Sequence, residues 1–346
     1  MILFTHKSRV GLLSIALLFA IAPGVGAFAQ YTQTNLVSTK RDANLINAWG
    51  SAYLPMSPFW VSDNITGKSS IYNSAGMTQM PAVTVPPAKS GMGSPTGIVA
   101  NPTTGFVVSQ NGKSSPALFV FDSLDGTISG WNPNVNLESA VIAVNNNASG
   151  DKYTGLAIIT VTTSTGPQTF IAAADAAHNQ VKIYNSDFKF VHSFRDPNTP
   201  MGLSVYGIET INDRLYVTLG SLNPNLGGAV DIFEVSGRLI KRFTTSMPGG
   251  VLNGPWGLAK APSNFKVFSN ALLVGNVGSG QIVAFDATTG NPLGVMMNTS
   301  GHPITIPGLW ALRFGGGDSA VNGNVNQLFF TAGPDHYLSG LFGVIQ

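Results

Sequence analysis

Three polar residues stand at corresponding places along this chain, each just after a short apolar run: Asn64 beside Asp63, Asp175, and Asn276. Gln110-Asn111 follows another such run. Oxygen-only donors of this kind suit Ca²⁺ or Mg²⁺. An ion held by Asn64, Asp175 and Asn276 would polarise a carbonyl or activate water. The competing reading is that Asx residues end strands and make turns, which needs no ion. Aromatic residues form a second series. Trp49, Trp256 and Trp310, with Tyr206, recur at one place relative to a glycine or alanine. They would either stack on a sugar or aromatic ligand or fill a repeated packing position.

Histidine chemistry has few candidates. His178 follows Asp175 and His336 follows Asp335, so each has a carboxylate close in sequence for base or metal work. No Gly-x-Ser-x-Gly elbow, His-Glu-x-x-His helix, phosphate-binding loop or dinucleotide fingerprint is present. The chain has no cysteine, which excludes thiol catalysis, disulfides and thiolate-held metals. Asn-x-Ser/Thr sequons stand at Asn64, Asn147 and Asn298.

The residues that would position these groups belong to a repeat. Its opening is clearest at Asn47-Ala48-Trp49-Gly50, Asn253-Gly254-Pro255-Trp256-Gly257 and Pro307-Gly308-Leu309-Trp310-Ala311. Weaker versions are Pro95-Thr96-Gly97, Tyr153-Thr154-Gly155 and Val205-Tyr206-Gly207. Between Gly50, Gly97, Gly155, Gly207, Gly257 and Ala311 the steps are 47, 58, 52, 50 and 54 residues. A four-stranded blade needs roughly 40–50 residues, so the spacing fits β-propeller blades with modest insertions. Short β-branched and aromatic runs follow each opening; in blade two they are Gly105–Gln110 and Ala117–Asp122. The 40 glycines and 10% charged residues describe a turn-rich β protein.

The expected fold is therefore all-β: a single six-bladed β-propeller of four-stranded antiparallel blades. The ring is expected to close through an N-terminal strand at Thr34–Ser38, which joins the blade formed by residues 306–345. Few or no helices are expected, and the Gly315–Asn326 stretch reads as a long loop inside blade six.

The first 29 residues read as a signal peptide. Lys7 and Arg9 precede an apolar stretch from Val10 to Ala22, and Ala27-Phe28-Ala29 gives a cleavage pattern before Gln30. The propeller domain then spans residues 30–346, exported to a periplasm or the cell exterior. The whole chain has 18 Lys+Arg against 16 Asp+Glu. Losing Lys7 and Arg9 leaves 16 of each, so the mature chain is formally neutral. A neutral surface argues against nucleic acid as a partner. The expected partner is a small molecule, glycan or protein, bound by a monomer without a transmembrane segment.

The segment Asp42–Gly50, followed by Pro58–Gly67, resembles the opening of an exported bacterial family of uncharacterised proteins. Asn253–Ala259 and Gly275-Asn276 resemble it too. That resemblance implies a propeller related to NHL-repeat and gluconolactonase-like proteins, with no established activity. Three functions remain open on this reading. One is a ligand- or protein-binding module. The second is a divalent-metal-dependent hydrolase or lyase of lactonase type. The third is a structural envelope or matrix component.

Overall fold

The structure is a computed structural model that describes residues 30–221, 223 and 226–346. The signal-peptide segment, residues 1–29, lies outside the described residues. Six four-stranded antiparallel sheets form the blades. The described helical content is two three-residue 3₁₀ turns, Asn147–Ser149 and Lys266–Phe268. The inner strands are Ala48–Ala52, Pro95–Ala100, Tyr153–Thr163, Ser204–Ile211, Pro255–Lys260 and Leu309–Phe314. Each contacts the next around the ring, and the sixth contacts the first.

Ring closure is as expected from the sequence. Gln33–Ser38 is the outermost strand of blade six and pairs antiparallel with Leu341–Ile345, so both chain ends share one sheet. A further tie was not foreseen: Gln30–Tyr31 runs parallel to Met297–Asn298 of blade five.

Every repeat opening is a β-bulge. The ladder between inner and second strand shifts register across residues 49–50, 154–155, 206–207, 256–257 and 310–311, and in blade two opposite Thr96-Gly97. The extra residue turns the inner strand toward the axis. It also explains the glycines. A Cβ on Gly207 would lie 2.3 Å from the backbone oxygen of Trp256, and one on Gly257 2.3 Å from that of Trp310. Neighbouring inner strands touch backbone to backbone here, and only glycine leaves the room.

Side-chain oxygens from the second strands pin these bulges. Thr218 Oγ1 accepts from Gly207 N at 2.7 Å, and Thr331 Oγ1 accepts from Ala311 N at 3.0 Å. Asp122 Oδ1 accepts from Gly97 N at 2.6 Å and from Thr96 Oγ1 at 2.7 Å. Asp122 is fully buried, and that burial pushes its carboxyl from 3.8 up to about 7 even against these donors. The folded state thus keeps a proton that the unfolded chain releases. Its contribution to stability is greatest at acid pH and falls as pH rises from about 4 through about 7. The melting temperature is expected to fall across that window. Asp122→Asn, a neutral residue of the same shape, is expected to flatten the profile and melt higher at about pH 8. A variant profile as steep as the parent's would show that another group sets the slope.

Blade two departs from the sequence reading. Its second strand is Phe119–Ser123; the run placed at Gly105–Gln110 is half of an inserted hairpin, Val107–Gln110 with Lys113–Pro116. Gln110-Asn111 is the tip of that hairpin, where Asn111 takes a positive φ of 51°, and not the end of a blade strand. Val107 is half exposed, as suits a two-stranded ribbon lying over a blade.

Candidate functional site

The register defines which residues are equivalent. Asp63, Asp175 and Asn276 end the second strands of blades one, three and five, opposite Ala48, Tyr153 and Pro255. Asn64 stands one residue further on. Its Oδ1 accepts from Asn47 Nδ2 at 3.1 Å, and its Nδ2 donates to the Pro95 carbonyl at 3.2 Å. Asn276 Oδ1 accepts from Asn253 N at 2.8 Å. Both amides stitch the segment entering an inner strand, which is the strand-ending role that Asx residues fill without an ion. The expected Asn64, Asp175 and Asn276 sit in blades one, three and five and share no hydrogen-bond partner among the described residues.

Asp175 joins a different group. Among the described residues, Asp151, Asp175 and His178 form the one set of three acid or histidine side chains whose ligand atoms lie within 4.8 Å of each other. His178 Nδ1 is 2.7 Å from Asp175 Oδ2 and 3.5 Å from Asp151 Oδ1. Both carboxylates are fully buried, while the His178 side chain is 43% exposed. Lys182 pairs with Asp151 Oδ2, and Tyr153 OH donates to the same oxygen at 2.7 Å. Asn146 Nδ2 bonds the hydroxyls of both Tyr153 and Tyr184 at 2.8 Å. His336 does not take part. It belongs to a turn in which Asp335, His336 and Tyr337 all have left-handed φ (54°, 57° and 69°), and Asp335 accepts from Ser339 instead. That costly backbone presses the Tyr337 ring to 5.7 Å from Trp310.

All four aromatic candidates converge, and they converge on each other. Trp49 stacks on Trp310 with centroids 3.8 Å apart. Trp256 meets Trp310 edge-on at 5.8 Å, and Tyr206 meets it at 6.0 Å. Each is at most 9% exposed. The Trp310 indole donates to Asn47 Oδ1 at 2.8 Å and the Trp256 indole to the Thr154 carbonyl at 2.7 Å. The rings fill the axis at the starting end of the inner strands, so their faces are spent on each other and none is open to a ligand. The same rings leave no room for an axial ion, and the fold-family expectation of one does not fit the residues present.

The other end of the axis is open. Behind the plug lies a chamber of about 20 Å³ lined by all six inner strands, from Gly50 and Ser51 to Arg313. It is large enough for about one water. Beyond it is a cavity of about 310 Å³ bounded by Tyr53, Glu209, Thr210, Asn212, Lys260 and Arg313, with apolar neighbours. Between the two stands an ion pair: Arg313 Nη2 to Glu209 Oε2 at 2.9 Å, joining blades six and four across the axis. Arg313 Nε also donates to the Ser51 carbonyl of blade one at 3.2 Å. Two buried hydroxyls beside the pair, Ser51 Oγ and Thr210 Oγ1, have no hydrogen-bond partner. Burial lowers the Lys260 ammonium pKa and raises that of the Tyr53 phenol.

Sequence reasoning missed this mouth, although a signal was there. Two residues after each opening glycine or its substitute stand Ala52, Val99, Ala157, Glu209, Ala259 and Arg313. Four small apolar residues and two opposite charges at one repeat position mark a pair meeting at the axis.

No family model matches the chain. Its relatives include "Uncharacterized protein R648" of Acanthamoeba polyphaga mimivirus, 30% identical over 321 residues, 88% of this chain and 76% of that protein. "Uncharacterized protein L690" of the same virus is 27% identical over 326 residues, 89% of this chain and 82% of its own. Both are viral, so the bacterial part of the resemblance draws nothing from them. Among solved structures, a glucose dehydrogenase matches with a TM-score of 0.53 at 13% identity, covering 90% of this chain and 98% of its own. A luciferin-regenerating enzyme gives 0.52 at 12% identity, covering 91% and 95%. At such identities the likeness concerns the fold alone.

Proposed function

The chain belongs to the family of the mimivirus protein R648, and we propose that it is a binding module for a small polyhydroxylated carboxylate. The carrying observation is the open mouth: a fixed Arg313–Glu209 pair flanked by two unpartnered buried hydroxyls. A guanidinium presents a planar fork to a carboxylate, and unpartnered hydroxyls reward a ligand that brings its own donors. The cavity of about 310 Å³ suits a molecule of monosaccharide size. Binding is favoured over turnover because the described lining residues include no histidine, and their one carboxylate, Glu209, is held by Arg313. The enzymes that share the fold do not alter this, since fold alone does not carry activity.

The test is thermal unfolding with millimolar galacturonate, gluconate and citrate, each beside a neutral sugar. A ligand of the folded state raises the melting temperature saturably. A rise with an acid and not with its neutral counterpart supports the reading; no rise, or equal rises, contradicts it. A matrix component would show no saturable soluble ligand.

Export is part of the proposal, resting on Lys7, Arg9, the apolar stretch and Ala27-Phe28-Ala29. The secreted product is expected to begin at Gln30 by mass spectrometry. A cell-retained product beginning at Met1 would count against it.

A further inference from the structure

We propose that blade three carries a divalent metal site formed by Asp151, Asp175 and His178, suited to a borderline ion such as Zn²⁺ or Mn²⁺. It lies at the opposite end of the inner strands from the Arg313 mouth and is independent of what binds there. Each carboxylate is anchored through one oxygen. Asp151 Oδ2 is held by Tyr153 and Lys182, and Asp175 Oδ1 accepts from Lys152 N at 3.1 Å. The other oxygen of each turns toward the same imidazole nitrogen, at 3.5 Å and 2.7 Å. Asp151 Oδ1 is buried and has no hydrogen-bond partner, an expensive state for a carboxylate oxygen. An ion between these three atoms would give that oxygen a partner with only a small opening of the cluster. The half-exposed His178 leaves a way in from solvent and room for water as a fourth ligand.

Donor chemistry selects the metal. Two carboxylates with one imidazole match Zn²⁺ or Mn²⁺, whereas Ca²⁺ wants six to eight oxygens. The expectation of Ca²⁺ or Mg²⁺ assumed Asn64 and Asn276 as companions of Asp175; the actual companions replace amide oxygens with a nitrogen. Lys182 is the natural competitor. Its ammonium lies 3.9 Å from Asp175 Oδ2 and already pairs with Asp151, so it balances the two carboxylates when no cation is bound.

The experiment is calorimetric titration of the chelator-treated full chain with ZnCl₂, MnCl₂ and CaCl₂. One saturable site for Zn²⁺ or Mn²⁺ is expected, with CaCl₂ weaker. His178→Ala changes a half-exposed side chain, keeps the fold, and is expected to weaken binding by more than about tenfold. Lys182→Met is expected to tighten it, and His302→Ala, outside the cluster, to leave it unchanged. No saturable binding of either ion, or equal binding by the His178→Ala chain, overturns the site. So does a loss produced by His302→Ala.

Discussion

Trp310→Ala is expected to destabilise the chain by about 3–5 kcal/mol, the usual cost of emptying a large buried aromatic site. Trp310 is 1% exposed and touches Trp49, Trp256, Tyr206 and Tyr337, so it is the common neighbour of the axial plug. Its loss also strips Asn47 Oδ1 of a buried donor. The surrounding rings are fixed to six different strands and cannot collapse into the space. Against a typical total stability of about 5–15 kcal/mol, this is a large fraction. Denaturant unfolding measures it directly. Trp256→Phe, which keeps a ring and loses only the bond to Thr154, is expected to cost roughly 1–2 kcal/mol. A Trp310→Ala loss below about 1 kcal/mol would mean that the blades, and not the plug, hold the axis together.

The second large effect concerns the mouth. Arg313→Met keeps the length of the side chain and removes the fork. Binding of a carboxylate ligand is expected to fall by about 3 kcal/mol, or roughly a hundredfold. Stability should fall less, because the pair is about a third exposed on the Arg side and a quarter on the Glu side. Glu209→Gln has the opposite sign. It removes the internal carboxylate that competes for Arg313, so binding is expected to hold or tighten. A merely structural ion pair would make both substitutions act alike.

Much of the architecture was legible because the repeat is enforced at the backbone. Gly50, Gly97, Gly207 and Gly257 must be glycine where inner strands touch, and that need repeats once per blade. The closing strand was legible because Thr34–Ser38 has strand character with no other edge to cover. Blade two was misread because the inserted hairpin, with Val107 and Val108, carries the same residue types as a blade strand. The sites were less legible. Asp175 was found, but Asp151 is 24 residues away and comes beside it only through the ladder that pairs Tyr153 with Asp175. Glu209 and Arg313 are 104 residues apart and meet only because the ring closes. The aromatic series was visible as a repeat; that its members face one another across an axis, and so cover each other, depends on ring geometry that spacing does not encode.

The central claim is that the open end of the axis is a carboxylate site built on Arg313. The most direct measurement is calorimetric titration of the acid giving the largest thermal shift into the parent chain, Glu209→Gln and Arg313→Met. The account predicts one site in the parent, equal or tighter binding with Glu209→Gln, and binding lost with Arg313→Met in a chain that still unfolds cooperatively. Undiminished binding by the Arg313→Met chain would contradict it.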